Sequence, residues 1–356
     1  MTVTAAVVGT GAPWIDNDDR YAMGYRHGEA YRALDAVELI ACADVERSRA
    51  TEFGREFGIP TEQCYADYEQ LLGEHTPDIV SVCVPPRLHA DLVEACAAAG
   101  VAAVHCEKPM ADTWEKCKEM AELAQEHDLQ LTFNHQRRFA KPFRTAKREL
   151  EQGRIGELRR IEFGAENLYD YGTHSFDLCS YFVDEVDPSW ILCQIHYTRE
   201  NVLFGEHNEN QAVAVWEYEN GVTGFASTGA ETGGDVVDCH HRLVGSAGSI
   251  EIIVGFPNRF DGPQLKIRSE DGEQERYFEN IGLELAVTHR SVEAAVDALE
   301  TGTQPTHSVE NCLGPTALIF GAWESARRRE RVVFPLDIQG NPLSEMVENG
   351  TIDPQE

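Results

Sequence analysis

The sequence predicts an α/β chain: a doubly wound parallel sheet at the N-terminus, then an α+β domain with a mostly antiparallel, open-faced sheet. Three observations carry this reading. Up to about Phe133, short apolar runs alternate with helical periodicity. The first apolar run ends in Gly9-Thr10-Gly11, and the second ends in Asp44. Beyond a helix at 142–151 the pattern becomes one of strands joined by turn residues such as Asn220-Gly221, before two late helices.

Taken in order, 3–8 is the first strand, and a helix follows over 23–34. The second strand is 37–43, and the helix 48–57 stops at Gly58. Residues 79–84 form a buried strand ended by Pro85-Pro86, which cannot donate to a ladder. The helix 88–99 stops at Gly100, the residue type best suited to a left-handed cap. Strand 102–105, helix 113–127 and strand 129–133 complete a first domain, 1–133. A second domain, 134–341, holds strands at 158–165, 190–197, 212–218, 222–227, 240–245, 249–253 and 265–268, with a helix at 174–182. Helices at 285–299 and 309–328 precede a last strand at 332–334, and the polar tail 342–356 is expected to fray.

The composition narrows the function. Thirty Lys and Arg face 61 Asp and Glu, a net charge of −31. Only six of the basic residues are Lys, at 108, 116, 118, 141, 147 and 266. Acid spread along the whole chain argues for a folded acidic surface and against a nucleic-acid or anionic-membrane partner. Such a surface fits a very salty cytoplasm, where ~1 M salt shortens the screening length to about 3 Å; an ordinary acidic enzyme is the alternative. The ten cysteines are scattered without a Cys-x-x-Cys pair, the pattern of buried free thiols in a reducing compartment. The N-terminus lacks a signal-peptide pattern, and no apolar run approaches the ~20 residues of a membrane helix, so a cytoplasmic location is expected.

Several residues bear chemistry. Gly9-Thr10-Gly11 gives the tight turn and close backbone approach that a pyrophosphate needs at a strand-to-helix junction. Alone it fits any α/β turn, and the third glycine of the fingerprint is missing, because position 14 is Trp. Asp44 lies 35 residues after Gly9, against the usual ~20. Residues 12–22 therefore read as an insertion in the phosphate loop, with Gly24 displaced into the role of the third glycine. Asp44 can accept from ribose hydroxyls and repel a 2′-phosphate, favouring NAD over NADP, or it can simply cap the next helix. Lys108, in Cys106-Glu107-Lys108-Pro109, is a compact ammonium in a chain that otherwise uses Arg, and suits a hydroxyl contact or a proton relay. A plain surface Lys is its alternative. Asp170 and His174 are four apart and share a helix face if Asp170 begins the helix, giving an imidazole base oriented by a carboxylate, with Asp177 as a second partner. A capping Asp beside a structural His is the other reading. Cys239-His240-His241 fits no zinc spacing, since neighbours on a strand point to opposite faces, and no metal is expected.

Together these features resemble the glucose–fructose oxidoreductase / inositol dehydrogenase / MocA (Gfo/Idh/MocA) family over nearly the whole chain. The resemblance runs through Gly9-Thr10-Gly11 with Arg26-His27, Ala43-Asp44-Val45, Tyr65-Ala66-Asp67-Tyr68, Asp78–Val82 with Pro85 and His89, and Glu107-Lys108-Pro109-Met110. It continues in Arg137-Arg138-Phe139 and Gly172-Thr173-His174-Ser175-Phe176-Asp177-Leu178. It implies a Rossmann domain followed by an α+β domain that pairs copies into dimers or tetramers, and hydride transfer between NAD(P) and a sugar, inositol or related polyol. By position it implies Lys108, Asp170 and His174 as the catalytic and substrate-binding set. Gly9, Thr10, Gly11, Asp44, Pro85, His89, Glu107 and Lys108 would lie along the cofactor. Trp14 and the missing glycine depart from the pattern. A non-catalytic nucleotide-bound sensor and an NAD-retaining glycoside hydrolase remain open on the same scaffold.

The charge makes a direct test. Folding and activity should need molar salt and decline on dialysis to ~0.1 M, where repulsion acts over about 10 Å. Thermal melts across a salt series read this, and an unchanged melting temperature in dilute buffer would remove the halophile reading.

Overall fold

The structure, a computed structural model, describes residues 2–12, 22–229, 236–254, 262–279 and 285–355. Trp14 and most of the 12–22 insertion lie outside these residues. The chain divides into two compact units, Met1–Gln136 with Glu284–Cys312, and Arg137–Leu283 with Leu313–Glu356.

The first unit is built on six strands: β1 (Val3–Val8), β2 (Val37–Ala43), β3 (Cys64–Tyr65), β4 (Ile79–Val82), β5 (Ala103–Cys106) and β6 (Gln130–Phe133). All pairings are parallel, in the order β3-β2-β1-β4-β5-β6. The order reverses between β1 and β4, and at such a switch point the carboxyl ends of the strands leave a crevice. Both faces are covered, which is why β4 and β5 are buried at every residue. Helices α1 (Met23–Arg32), α2 (Arg47–Phe57), α3 (Tyr68–Glu74), α4 (His89–Ala98) and α5 (Trp114–Glu126) make the connections. Their ends follow local chemistry. Asp67 caps α3 through Glu69 N–H, Thr113 caps α5 through Lys116 N–H, and Gly58 closes α2 at φ 78°.

A helix from late in the sequence, Leu285–Thr301, belongs to this unit. Its Val292, Ala295 and Val296 enter the core with Tyr25, Tyr31 and Phe53. Gln130 Nε2 donates to Ala295 O at 2.8 Å. The sequence reading places these residues in 134–341, because an apolar stripe announces that a helix packs without saying against what.

The second unit opens with α6 (Lys141–Glu151), β7 (Leu158–Ala165), α7 (Gly172–Phe182) and β8 (Pro188–His196). It continues through a small ribbon, β9 (Val202–Leu203) and β10 (Glu206–His207), then β11 (Gln211–Tyr218), β12 (Thr223–Thr228), β13 (His241–Gly245), β14 (Ser249–Ile252), β15 (Leu265–Ser269) and β16 (Gly272–Arg276). With the late helix counted as α8, α9 (Val309–Arg328), β17 (Val332–Val333) and α10 (Pro342–Glu348) end the chain. Nine strands form one sheet, β16-β15-β14-β13-β7-β12-β11-β8-β17, antiparallel throughout except for the parallel pair β12–β7. On its inner face Phe163, Phe176 and Trp216 meet with ring centroids 5.0–5.9 Å apart. Gly224 makes room for this, since a Cβ there would stand 1.9 Å from the Trp216 ring. The outer face leaves Leu192, Val213 and Val215 exposed. The expected polar tail contains α10, anchored by buried Leu343 and Met346 and capped by Asn341; two apolar residues in a short polar stretch give too weak a periodic signal to announce a helix.

The phosphate loop is shaped by contact distance. Gly9 and Gly11 have φ of 86° and 64°, which favour glycine. A Cβ on Gly24, in the first turn of α1, would stand 2.7 Å from both Gly9 O and Thr10 O. Gly24 thus allows the close helix–strand approach expected of a third glycine. Gly24→Ala should force loop and helix apart, costing about 1–3 kcal/mol of stability and over about tenfold in dinucleotide affinity. Gly73→Ala, where a Cβ meets nothing, should leave both unchanged; melting and calorimetry of the two variants check the contrast.

Candidate active site

A cleft of about 380 Å³ opens in the first unit at the carboxyl ends of β1, β2 and β4. Its walls are the backbone of Gly9 and Gly11, Asp44 and Val45 after β2, Tyr68 of α3, and Val84, Pro85 and Leu88 after β4. Asp44 sits at the centre of its bonding. Oδ2 accepts from Gly11 N–H at 2.9 Å and from the Thr10 hydroxyl at 3.3 Å, while Oδ1 accepts from Glu46 N–H at 3.0 Å. The carboxylate therefore fixes the glycine turn to the end of β2. It does not cap α2, which begins at Arg47 behind Glu46. A turn whose backbone a Cβ would block, beside an acid at a second strand end, fits a pyrophosphate and an unphosphorylated ribose diol.

His89 and Glu107 stand behind this surface. His89 is fully buried, with Nε2 2.8 Å from Val84 O and Nδ1 3.1 Å from Met110 O. It thereby ties the loop after β4 to the loop that carries Lys108. Burial lowers its pKa, opposed by the backbone carbonyls. Glu107 Oε1 accepts from Asn134 Nδ2 at 2.7 Å and meets His27 Nε2 at 3.0 Å; Oε2 accepts from Lys108 N–H at 3.2 Å. Burial pushes the Glu107 carboxyl up, but His27, Asn134 and the Lys108 charge outweigh it and hold the group below the usual carboxylate range. His27 Nδ1 in turn lies 2.8 Å from Ser81 Oγ, which lies 2.8 Å from Tyr31 Oη. Lys108 is half-buried at the head of this network. The sequence offered His27 only as part of a resemblance; its role follows from the parallel sheet, which sets α1 and the end of β5 side by side.

In the second unit α7 begins at Gly172, so Asp170 lies in the preceding turn and not on a helical face shared with His174. The turn is stabilised from outside the helix. Leu168 N–H is taken by Glu209 at 2.7 Å, Asp170 N–H by Asn208 at 3.3 Å, and Tyr171 N–H by Asn167 at 3.0 Å. Asp170 and His174 are both buried. Asp177 forms a two-pronged pair with Arg138, Nε–Oδ2 2.8 Å and Nη2–Oδ1 2.7 Å, which pins α7. Glu185 joins through Arg138 Nη1 at 2.6 Å.

Arg137 faces the same turn, its guanidinium 5.9 Å from the Tyr171 ring. Burial pushes its pKa down to about 10, opposed by Tyr171, Asp170 and Glu166. Its Nη1 donates to His240 Nε2 at 2.8 Å, His240 Nδ1 meets His241 Nδ1 at 2.6 Å, and His241 Nε2 donates to Ser175 O at 3.0 Å. The donors run one way, with both imidazoles neutral. His240 and His241 do not point to opposite faces as expected: β13 begins only at His241, so His240 escapes the strand alternation and the rings stack 4.7 Å apart.

Residues 3–135 match an oxidoreductase family described by an NAD-binding Rossmann fold, and residues 162–251 match the Gfo/Idh/MocA C-terminal domain; together the two exceed half of the chain. An uncharacterized oxidoreductase of Schizosaccharomyces pombe is 34% identical over 125 residues, 35% of this chain and 33% of that protein. Myo-inositol 2-dehydrogenase of Thermotoga maritima is 29% identical over 178 residues, 46% of this chain and 52% of that protein. The chain thus spans a third to about half of the length of these curated relatives. In fold it is similar to an inositol dehydrogenase homolog of Azotobacter vinelandii, solved with NADH and myo-inositol, at TM-score 0.72 and 21% identity over 94% of this chain and 98% of that one.

The placement of Asp44 leads to a measurable preference. Asp44→Ser removes the charge that would repel a 2′-phosphate and also frees Gly11 N–H. Relative affinity should move from NAD toward NADP by about tenfold to hundredfold. Titration calorimetry with both dinucleotides reads the ratio, and an unchanged ratio would confine Asp44 to holding the loop.

Proposed function

The chain belongs to the Gfo/Idh/MocA oxidoreductase family, and on that premise we propose that it transfers hydride between NAD and a hydroxyl-bearing carbon of a sugar, inositol or related polyol. The observation that supports the reading is the glycine turn, tied by Asp44 to the end of β2 and lining a cleft at the strand switch point. Relatives named as inositol and D-apiose dehydrogenases support the substrate class. When bound, NAD supplies the hydride acceptor; the protein supplies position and proton transfer.

In this reading His174 takes the proton of the substrate hydroxyl, a role an imidazole fills at neutral pH. Asp170, in the turn before α7, orients it. Lys108 holds the hydroxyl oxygen with its ammonium, and the Glu107–His27–Asn134 network steadies the backbone from which Lys108 projects. Pro85 walls the cofactor cleft, and His89 braces the loops on either side of it.

The reading extends to the setting. The exposed Leu192 and Val215 stand opposite one another on neighbouring strands, with Val213 beside them, and form the surface through which two copies pair. Among the described residues no helix is long and apolar enough to cross a membrane. Nine of the ten free cysteines are buried and Cys83 is half-buried, which suits a reducing cytoplasm.

His174→Ala should lower kcat by roughly 10²–10⁴-fold with NAD affinity nearly intact, and Lys108→Met should also lower kcat. Asp170→Asn should cost less. The double variant Lys108→Met/His174→Ala should lose far less than the product of the single losses, because the groups act as a unit. Substrate comes from a screen of sugars and inositols in high-salt buffer. Retention by His174→Ala of more than about a tenth of wild-type turnover would sink the assignment of the base.

A further inference from the structure

Glu209, between β10 and β11, is wholly buried, and the chemistry above gives it no part. Every atom bonded to it is a donor. Oε1 accepts Leu168 N–H at 2.7 Å and the Thr228 hydroxyl at 3.4 Å, and Oε2 accepts Trp323 Nε1–H at 3.0 Å. Ala212 N–H donates to Thr228 Oγ1 at 2.9 Å, which turns the hydroxyl hydrogen toward Glu209. The carboxyl thus joins β12, α9 and the turn before α7. Its neighbour Asn208 takes Asp170 N–H.

We propose that Glu209 is a positioning residue whose ionised carboxylate fixes the 167–171 turn, and through it the placement of Asp170 and His174, so that turnover requires Glu209 unprotonated. The proposal rests on the reading of Asp170 and His174 as catalytic. Three inward donors fit the carboxylate; a proton on Oε1 would displace the Leu168 N–H or the Thr228 hydroxyl, and a proton on Oε2 would weaken it as an acceptor for Trp323 Nε1–H. Among the described residues, none of the groups bonded to it is a cation. Cys193 and Tyr197 approach from β8 and its end, both uncharged at neutral pH because burial pushes thiol and phenol up; α9 contributes Trp323, β12 contributes Thr228, and the turn itself carries Asp170. Burial accordingly pushes the Glu209 carboxyl up to about 7, opposed by Trp323, the Leu168 and Glu209 N–H groups and Thr228. As pH falls through that value the carboxyl takes up a proton and the hold on the turn is lost.

The test uses full-length Glu209→Gln, Trp323→Phe and His174→Ala. In Glu209→Gln the new amide meets the Trp323 donor, so kcat should fall roughly ten- to hundredfold with KM for NAD unchanged. Amide exchange across 167–171 should accelerate about tenfold or more. The acid limb of log kcat against pH should become shallower, because one titrating group, Glu209, is lost from it. Trp323→Phe keeps the ring packing but removes a donor to the carboxylate, so its acid limb should move to higher pH while the alkaline plateau is kept; this variant carries the test should Glu209→Gln not fold. Unchanged exchange and an unchanged acid limb in Glu209→Gln, with His174→Ala inactive, would overturn the proposal. An active His174→Ala beside accelerated exchange in Glu209→Gln would instead overturn the catalytic reading on which it rests.

Discussion

A carboxylate taken out of water has to be surrounded by donors, and this constraint organises both units of the chain. Asp44 takes the N–H groups of Gly11 and Glu46, and so shapes the phosphate loop. Glu107 takes Asn134, His27 and the N–H of Lys108. Asp177 takes Arg138, and Glu209 takes Leu168, Thr228 and Trp323. Each of the four lies at or beside a segment that bears chemistry. Because each takes at least one donor from a distant part of the sequence, each carboxylate fixes a loop more firmly than its own backbone bonds could.

The outer face of the nine-stranded sheet shows how an acidic chain spends its arginines. Arg160, Glu162, Arg242, Glu251, Arg268 and Glu273 alternate in sign across β7, β13, β14, β15 and β16, with neighbouring contacts of 2.7–3.1 Å. Arg242 and Arg268 each reach two carboxylates on different strands. A planar fork does this and an ammonium on a flexible stem does it poorly, which gives a physical reason for the preference of Arg over Lys. Individually such half-exposed pairs contribute little, and the continuity of the row matters more than any member. The apolar part of the face, with Leu192, Val213 and Val215, lies on the other side of β12.

The order and type of most elements were legible in the sequence, α3, β16 and α10 being exceptions, and so was the steric need for glycine at positions 9, 11 and 24. Strand and helix periods are local, and a glycine forced by a close backbone approach leaves its mark at one position. The match between α9 and its expected span of 309–328 reflects this, as does the role of Gly24. The helix at 285–301 was legible as a helix but not as a member of the first unit, since its stripe names no partner.

What only the tertiary structure decided is which side chain answers which buried group. Asp177 looked like a partner for His174 by spacing, yet it binds Arg138 from 39 residues away. Asp170 looked helical, yet its turn is held by Asn167, Asn208 and Glu209. His240 broke the strand alternation because the ladder starts one residue later. The sequence by itself determined the sheets, the cofactor fold and the set of chemically able residues, because these follow from periodicity and from the steric needs of single positions. Desolvation acts only after the chain has closed, and pairing of buried charges depends on distances that no local pattern encodes.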